Sequence, residues 1–105
     1  MGSISLKRWD VCIAYVGFEN TDDFKIRPVL ILGKEALLLD ALMMTGQPPR
    51  TGEYALQFWA EAGLHKATAV RISKRLQLSP DAVVKRIGAL HPADILAIEK
   101  MIECI

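Results

Sequence analysis

Runs of apolar residues in the first half of the chain predict three strands. Residues 10–18 are rich in β-branched and aromatic side chains, which favour an extended backbone. After a polar, acidic loop, residues 29–32 predict a buried strand ending at Gly33, with Pro28 at its start because proline has no amide hydrogen to donate. Residues 36–46 suit a helix by composition, but close turns on both sides and strand-like neighbours favour a third strand.

The segment that follows the proline-containing loop at 47–52 has a mixed pattern. Tyr54 and Leu56 alternate as in a strand. The next apolar residues fit one face of a short helix that closes at Gly63, since glycine is common at helix ends. These helix-spaced residues are Phe58, Trp59 and Ala62.

The stretch at 71–90, RISKRLQLSPDAVVKRIGAL, is compatible with two structures. Two short amphipathic helices with spaced Lys and Arg would make residues 69–88 a DNA-binding helix-turn-helix. The apolar residues of the first half, however, fall at even positions, and only Lys74 breaks the period of two. We therefore predict a strand there. Its alternating residues are Val70, Ile72, Leu76 and Leu78.

Two helix starts follow this strand. Ser79 offers a capping hydroxyl and Pro80 suits the first helical position, so we predict a short helix that Gly88 ends. Pro92 starts a C-terminal helix with an apolar stripe along one face. The stripe comprises Ile95, Ile98, Met101, Ile102 and Ile105.

This order of elements predicts an α+β fold, in which a small, strongly bent sheet carries a terminal helix. The length of 105 residues and the 51% of hydrophobic residues suit one domain spanning 1–105. Within it, residues 1–7 are interpreted as a leader that is flexible or a remnant of cloning. No stretch resembles a signal peptide or a membrane span, so a cytoplasmic protein is expected.

Charge and cysteine content change this picture only locally. The net charge is +1, but residues 66–88 hold six Lys and Arg residues against the single acidic residue Asp81, which predicts a basic face. Cys12 and Cys104 have no metal-ligand spacing and are interpreted as free, buried thiols of a reducing compartment.

Several motifs resemble those of the PemK/MazF-like family, toxins of bacterial type II toxin–antitoxin systems. They are RPVLIL at 27–32, MMTG at 43–46 and the tail VRISKRLQL…RIGALHPADILAIEKMI, which occur here in that order. The GEY…W..AGL segment at 52–64 is most similar to the shorter PemK-like branch. The resemblance covers about residues 8–103.

The resemblance implies a small SH3-like β-barrel with short helices and a C-terminal helix, assembled as a homodimer. It implies cleavage of single-stranded RNA without metal or other cofactor, and neutralisation by a cognate antitoxin with an acidic, disordered tail. By position in the family motifs, the catalytic residues would be Arg27 and Thr45. The residues expected to bind RNA or antitoxin are Lys25, Arg71, Lys74 and Arg75.

The chemistry of these residues suits RNA, whose 2′-hydroxyl can attack the adjacent phosphate. The planar fork of Arg27 matches two phosphate oxygens, and the Thr45 hydroxyl can position a phosphate oxygen or a water. Taken alone, His65 and His91 suit structural roles, because the first follows an apparent helix end and the second precedes Pro92 as a helix cap.

Three departures from the family pattern motivate one alternative, the same fold without nuclease activity. The family's Gly-Asp pair is here Trp9-Asp10, the loop before Arg27 has a single glycine, and the late strand carries SKRLQL in place of a Gln-x-Arg-Thr-like run. The competing hypotheses are a non-enzymatic DNA-binding module built on residues 69–88, and an inactive protein-interaction module on the same fold.

Overall fold

The computed structural model describes residues 5–17 and 24–103. Within these residues the chain forms six strands, a single 3-10 turn at Pro80–Ala82 and one α-helix. The strands are β1 Asp10–Gly17, β2 Phe24–Glu35, β3 Leu38–Thr45, β4 Glu53–Ala55, β5 Ala69–Leu78 and β6 Val83–Ala89, and the helix α1 is Pro92–Glu103. The three predicted strands of the first half and the strand at 69–78 are confirmed.

The strands form one antiparallel sheet in the order β4-β5-β3-β2-β1-β6. In a flat sheet, four strand spacings would separate β5 from β6 by about 19 Å. The connection between them is residues 79–82, which contain a 3-10 turn that rises only about 2 Å per residue. The sheet therefore has to curl until its two sides approach each other, which gives the predicted bent, barrel-like form.

A register shift in β5 helps the sheet to curl. Met43 of β3 lies opposite Arg71, whereas the adjacent Leu42 lies opposite Arg75, so three residues of β5 bulge out of the ladder. Such bulges bend a strand and increase its twist. Lys74, the residue that breaks the period of two in the sequence, lies within this bulge.

Apolar side chains pack on both faces of the curled sheet. In one core, Val11, Leu30 and Val70 are fully buried together with Ile98 of α1, which covers this face. In the other core, the buried residues are Cys12, Ala14, Val16, Val29, Ile31, Leu39, Ala41, Leu78 and Val83. Because of the β5 bulge, Val70 and Leu78 belong to different cores although both occupy even positions.

The β2 strand is longer than predicted, since it begins before Pro28 and continues past Gly33. Pro28 lies opposite Ile13 of β1, but pairing with β3 begins only at Val29. The missing amide hydrogen therefore costs no ladder hydrogen bond on the β3 side. At Gly33 the strand accommodates a register shift instead of ending.

The predicted helix over 80–88 is wrong, because only one 3-10 turn forms before the chain becomes extended again. The capping prediction itself is correct, since Ser79 Oγ accepts a hydrogen bond from the Asp81 amide at 3.4 Å. The β-branched Val83 and Val84 then begin β6, which pairs with β1. Residues 69–88 are thus strand, turn and strand, which excludes a helix-turn-helix.

The predicted helix around 58–63 is also wrong, and a series of tight turns takes its place. Gly63 has a φ of 90°, in the left-handed region that favours glycine. A Cβ at Gly63 would collide with the Ile87 carbonyl, and one at Gly88 with the Ala62 carbonyl. The two glycines thus allow the turn segment to pack backbone to backbone against β6.

The C-terminal helix is confirmed, and its predicted cap is too. His91 Nδ1 accepts a hydrogen bond from the Ala93 amide at 3.0 Å, and its ring stacks on Phe58 at 3.9 Å between centroids. Ile95, Ile98, Met101 and Ile102 all contribute to the first core. Ile105 and Cys104 lie outside the described residues, as do residues 1–4 of the predicted leader and residues 18–23 of the acidic loop.

Trp9 occupies the position of the glycine in the Gly-Asp pair of the PemK/MazF-like family. Its backbone has a conformation that favours glycine. Its φ is 76°, which costs energy for a residue with a Cβ. Its amide donates to the Ile31 carbonyl at 2.7 Å, and its carbonyl accepts from the Leu90 amide at 2.9 Å. These bonds and the packing of the indole on the first core hold the unfavourable conformation.

We expect Gly88→Ala to lower the free energy of unfolding by about 1–3 kcal/mol, because the new methyl group would push against a backbone carbonyl. Gly33→Ala is the matched control, since a Cβ there meets nothing within 4 Å. Urea denaturation of both variants measures the difference. Equal midpoints would contradict the close approach of the turn segment and β6.

Candidate active site

An open cavity of about 270 Å³ lies where β2, β3 and β6 meet the turn before β5. Its polar lining side chains come from all four of these segments. They are Arg27, Thr45, His65, Lys66, Thr68 and Lys85. Ile13, Met44, Leu64 and Ile87 supply much of the apolar wall. The fold therefore brings the two residues predicted to be catalytic, Arg27 and Thr45, to the same cavity.

Among the described residues, the Lys, Arg, Asp and Glu side chains that line this cavity are all cationic. Arg27, Lys66 and Lys85 are cationic side chains, and no Asp or Glu lines the cavity among the described residues. A cleft lined by charges of one sign attracts ions of the opposite sign and raises their local concentration. The arrangement suits a phosphate group, with the Arg27 guanidinium offering two parallel N–H donors.

The end of β3 orients the hydroxyl of Thr45. Its Oγ1 accepts a hydrogen bond from the Gln47 amide at 3.1 Å, so the hydroxyl proton is available for donation. Thr45 also lines a second, smaller cavity together with Arg50, Glu53 and Arg71. Thr45 therefore lies between two adjoining cavities.

The turn before β5 places Lys66 directly over Gly46. A Cβ on Gly46 would lie 2.7 Å from Lys66 Nζ, so only glycine leaves the lysine in this position. The turn is held at its other end because Thr68 Oγ1 donates to the Lys66 carbonyl at 2.9 Å. The glycine of the Thr-Gly pair therefore leaves room for the Lys66 side chain in its present position, from which a larger residue would displace the end of the lysine.

A buried carboxylate fixes the loop that leads to this turn. Asp94, in the first turn of α1, is only 1% exposed and accepts three hydrogen bonds. The donors are Tyr54 Oη at 2.6 Å and the amides of Gln57 and Phe58 at 3.1 and 3.0 Å. Burial, assisted by the hydrogen bond to Asp94 and its charge, raises the pKa of Tyr54 to about 12.

The other predicted binding residues lie away from the first cavity. Arg71 Nε donates to Glu53 Oε2 at 2.9 Å at the wall of the second cavity. The Arg50 amide first, and then Arg71, lower the pKa of Glu53. Lys74 and Arg75 are exposed at the β5 bulge, and Lys25 is exposed on β2. The sequence did not predict that His65 lies with Arg27 and Thr45.

Buried polar groups elsewhere are accounted for by local structure. Asp10 accepts from the Lys7 amide at 2.8 Å and pairs with Arg86 at 3.1 Å. Cys12 is free and buried, and burial raises the pKa of its thiol to about 11, which makes it a poor nucleophile.

In the described part of the chain, no three His, Cys, Asp or Glu residues cluster as metal ligands would, and no helix could span a membrane.

Solved structures of bacterial endoribonucleases have this architecture. An endoribonuclease from a mycobacterial species matches with a TM-score of 0.74 at 15% identity, over 99% of this chain and 91% of that one. A mycobacterial endoribonuclease in complex with its cognate antitoxin matches with a TM-score of 0.73 at 16% identity, over 95% and 93% of the two chains. No protein-family model and no curated protein sequence matches the chain.

The Mycobacterium tuberculosis toxin MazF-mt6 matches with a TM-score of 0.72 at 22% identity, over 90% of this chain and 93% of that one. The chain therefore has the MazF-like barrel fold. This confirms the α+β, SH3-like barrel that the resemblance implied, with tight turns in place of the helix predicted around 58–63, and a 3-10 turn and β6 in place of the helix predicted over 80–88.

The raised pKa of Tyr54 predicts a change in stability at alkaline pH. Folding favours the protonated phenol, so this contribution is fully present below the ordinary tyrosine pKa of 10 and is lost as the pH rises through about 12. Absorbance titration should show a late-ionising phenol that is missing in Tyr54→Phe. The control is the second tyrosine, Tyr15, which both proteins retain. If the phenol that Tyr54→Phe removes ionises near the ordinary tyrosine pKa of about 10, the burial of Tyr54 and its bond to Asp94 are contradicted.

Proposed function

We propose that this chain is a single-domain toxin of a type II toxin–antitoxin system that cleaves single-stranded RNA without a metal ion, in the cytoplasm. The observation that carries the proposal is the convergence of Arg27 and Thr45 on one cationic cavity. It is supported by a fold shared with endoribonucleases and with the toxin MazF-mt6.

The proposed reaction uses the 2′-hydroxyl of the RNA as the nucleophile. It attacks the neighbouring phosphorus, the bond to the 5′-oxygen breaks, and the products carry a 2′,3′-cyclic phosphate and a 5′-hydroxyl. Negative charge builds up on the phosphoryl oxygens, where Arg27 binds and stabilises it. The Thr45 hydroxyl donates a hydrogen bond to one phosphoryl oxygen and thereby fixes the phosphate in the cavity.

The protein partners follow from the same proposal. One of the structural neighbours is an endoribonuclease in complex with its cognate antitoxin. We expect an antitoxin with an acidic, disordered tail to bind the basic residues outside the main cavity, and the toxin to form a homodimer. These basic residues are Lys25, Arg71, Lys74 and Arg75, which could also contact the RNA backbone.

Incubation with a long single-stranded RNA in EDTA tests the function. We expect wild-type cleavage, and a loss of about 10²–10³ in rate for Arg27→Ala because the phosphoryl charge is then unsupported. Arg27→Lys should recover only part of the rate, since an ammonium lacks the planar fork. Thr45→Val should lose about tenfold, as one hydrogen bond is removed.

Lys34→Ala is the matched control, because Lys34 is an exposed cation on β2 outside the cavity. It should cleave RNA at the wild-type rate. Intact RNA after incubation with folded wild-type protein would refute nuclease activity on that substrate and favour the inactive interaction module. Cleavage that stops in EDTA would refute the metal-independent reaction.

A further inference from the structure

The reaction proposed above needs a group that accepts the proton of the 2′-hydroxyl. Arginine and lysine side chains keep their protons at neutral pH, and a threonine hydroxyl is a poor base. No carboxylate lines the cavity in the described part of the chain. The remaining candidate there is the imidazole of His65, a side chain that can be unprotonated near neutral pH.

We propose that His65 is the general base of this cavity, an inference that rests on the proposed ribonuclease function. Its neutral imidazole accepts the 2′-hydroxyl proton while the 2′-oxygen forms its bond to phosphorus. The bond between phosphorus and the 5′-oxygen breaks, and the 5′-oxygen takes a proton from solvent through the open mouth of the cavity. The imidazolium then returns its proton to solvent, so no oxidant, reductant or metal is consumed.

The position of His65 is set by the same contacts that build the turn before β5. The Leu64 amide donates to the Trp59 carbonyl at 3.1 Å, and Thr68 holds the Lys66 carbonyl on the other side. The backbone of Gly63 packs against β6 just before the histidine. The backbone at residue 65 is therefore held next to the cavity, and the exposed imidazole lines the cavity together with Arg27 and Thr45.

The charged groups around His65 also fit this role. Arg27 faces the cavity from β2, Lys85 from β6, and Lys66 from the turn itself. All three are cations, so they hold the phosphate on which the base acts and do not compete for the proton. His91, in contrast, does not line this cavity. Its Nδ1 caps α1 and its ring stacks on Phe58.

Single-turnover cleavage between about pH 5 and 8, the range in which imidazole changes charge, tests the role of His65. We expect His65→Asn to lose about 10²–10⁴ in rate and to lose the rise in rate with pH. Added imidazole should restore His65→Ala in proportion to the unprotonated imidazole present. His91→Asn, which keeps a capping side chain, is the matched control and should behave like the wild type.

Two further measurements separate catalysis from structure. Circular dichroism and binding of a 2′-O-methyl RNA, which has no hydroxyl to deprotonate, should be the same for wild type and His65→Asn. Wild-type cleavage with an unaffected His65→Asn would overturn this inference and leave the proposed function standing. Rescue of His65→Ala in proportion to protonated imidazole would overturn the assignment of His65 as the general base. A wild type that leaves RNA intact would overturn the proposed function, and this inference with it.

Discussion

The buried carboxylate of Asp94 is the interaction on which the site depends. A carboxylate without hydrogen bonds is costly to bury, and here Tyr54 and two backbone amides satisfy it. These donors lie at least 36 residues away in sequence, so one side chain ties α1 to β4 and to the loop after it. Together with the stack of Phe58 on His91, this tie fixes the start of the segment that carries His65 and Lys66 against the helix.

Besides the hydrogen bonds of Asp94, two close approaches at glycines shape the cavity, one at Gly63 and Gly88 and the other at Gly46. Gly63 and Gly88 let the loop lie directly on β6, and Gly46 lets Lys66 extend across the end of β3. Cations that line one cleft repel each other, so they weaken the fold unless other contacts outweigh the repulsion. The hydrogen bonds of Asp94 and the two apolar cores provide those contacts. The site is therefore a place where binding of an anion relieves an electrostatic cost within the folded protein.

Patterns of apolar residues predicted the strands because their signals are local, whereas the two errors arose where distant pairing decided the structure. Ser79 and Pro80 do cap a turn, but the residues after it, Val83–Ala89, pair with the free edge of β1 and are therefore extended. The apolar residues of 58–63 have helix-like spacing, and Gly63 does end a local turn, but that turn does not continue as a helix. The family motifs predicted Arg27 and Thr45 as site residues; both line one cavity, and their catalytic roles stay a prediction. His65 was not predicted, because only the contact between the loop and β6 brings it to the cavity.

At 15–22% identity, the structural neighbours keep the fold of this chain although most of their residues differ from it. The short link between β5 and β6 requires a curled sheet, and many apolar residues can fill its two cores. Trp9 illustrates this tolerance, since it keeps a glycine-like backbone because its amide and carbonyl are both bound by neighbouring segments. The general base that we propose has no such tolerance, because it must reach one proton. We infer its identity from the cavity that Arg27 and Thr45 share, which His65 also lines.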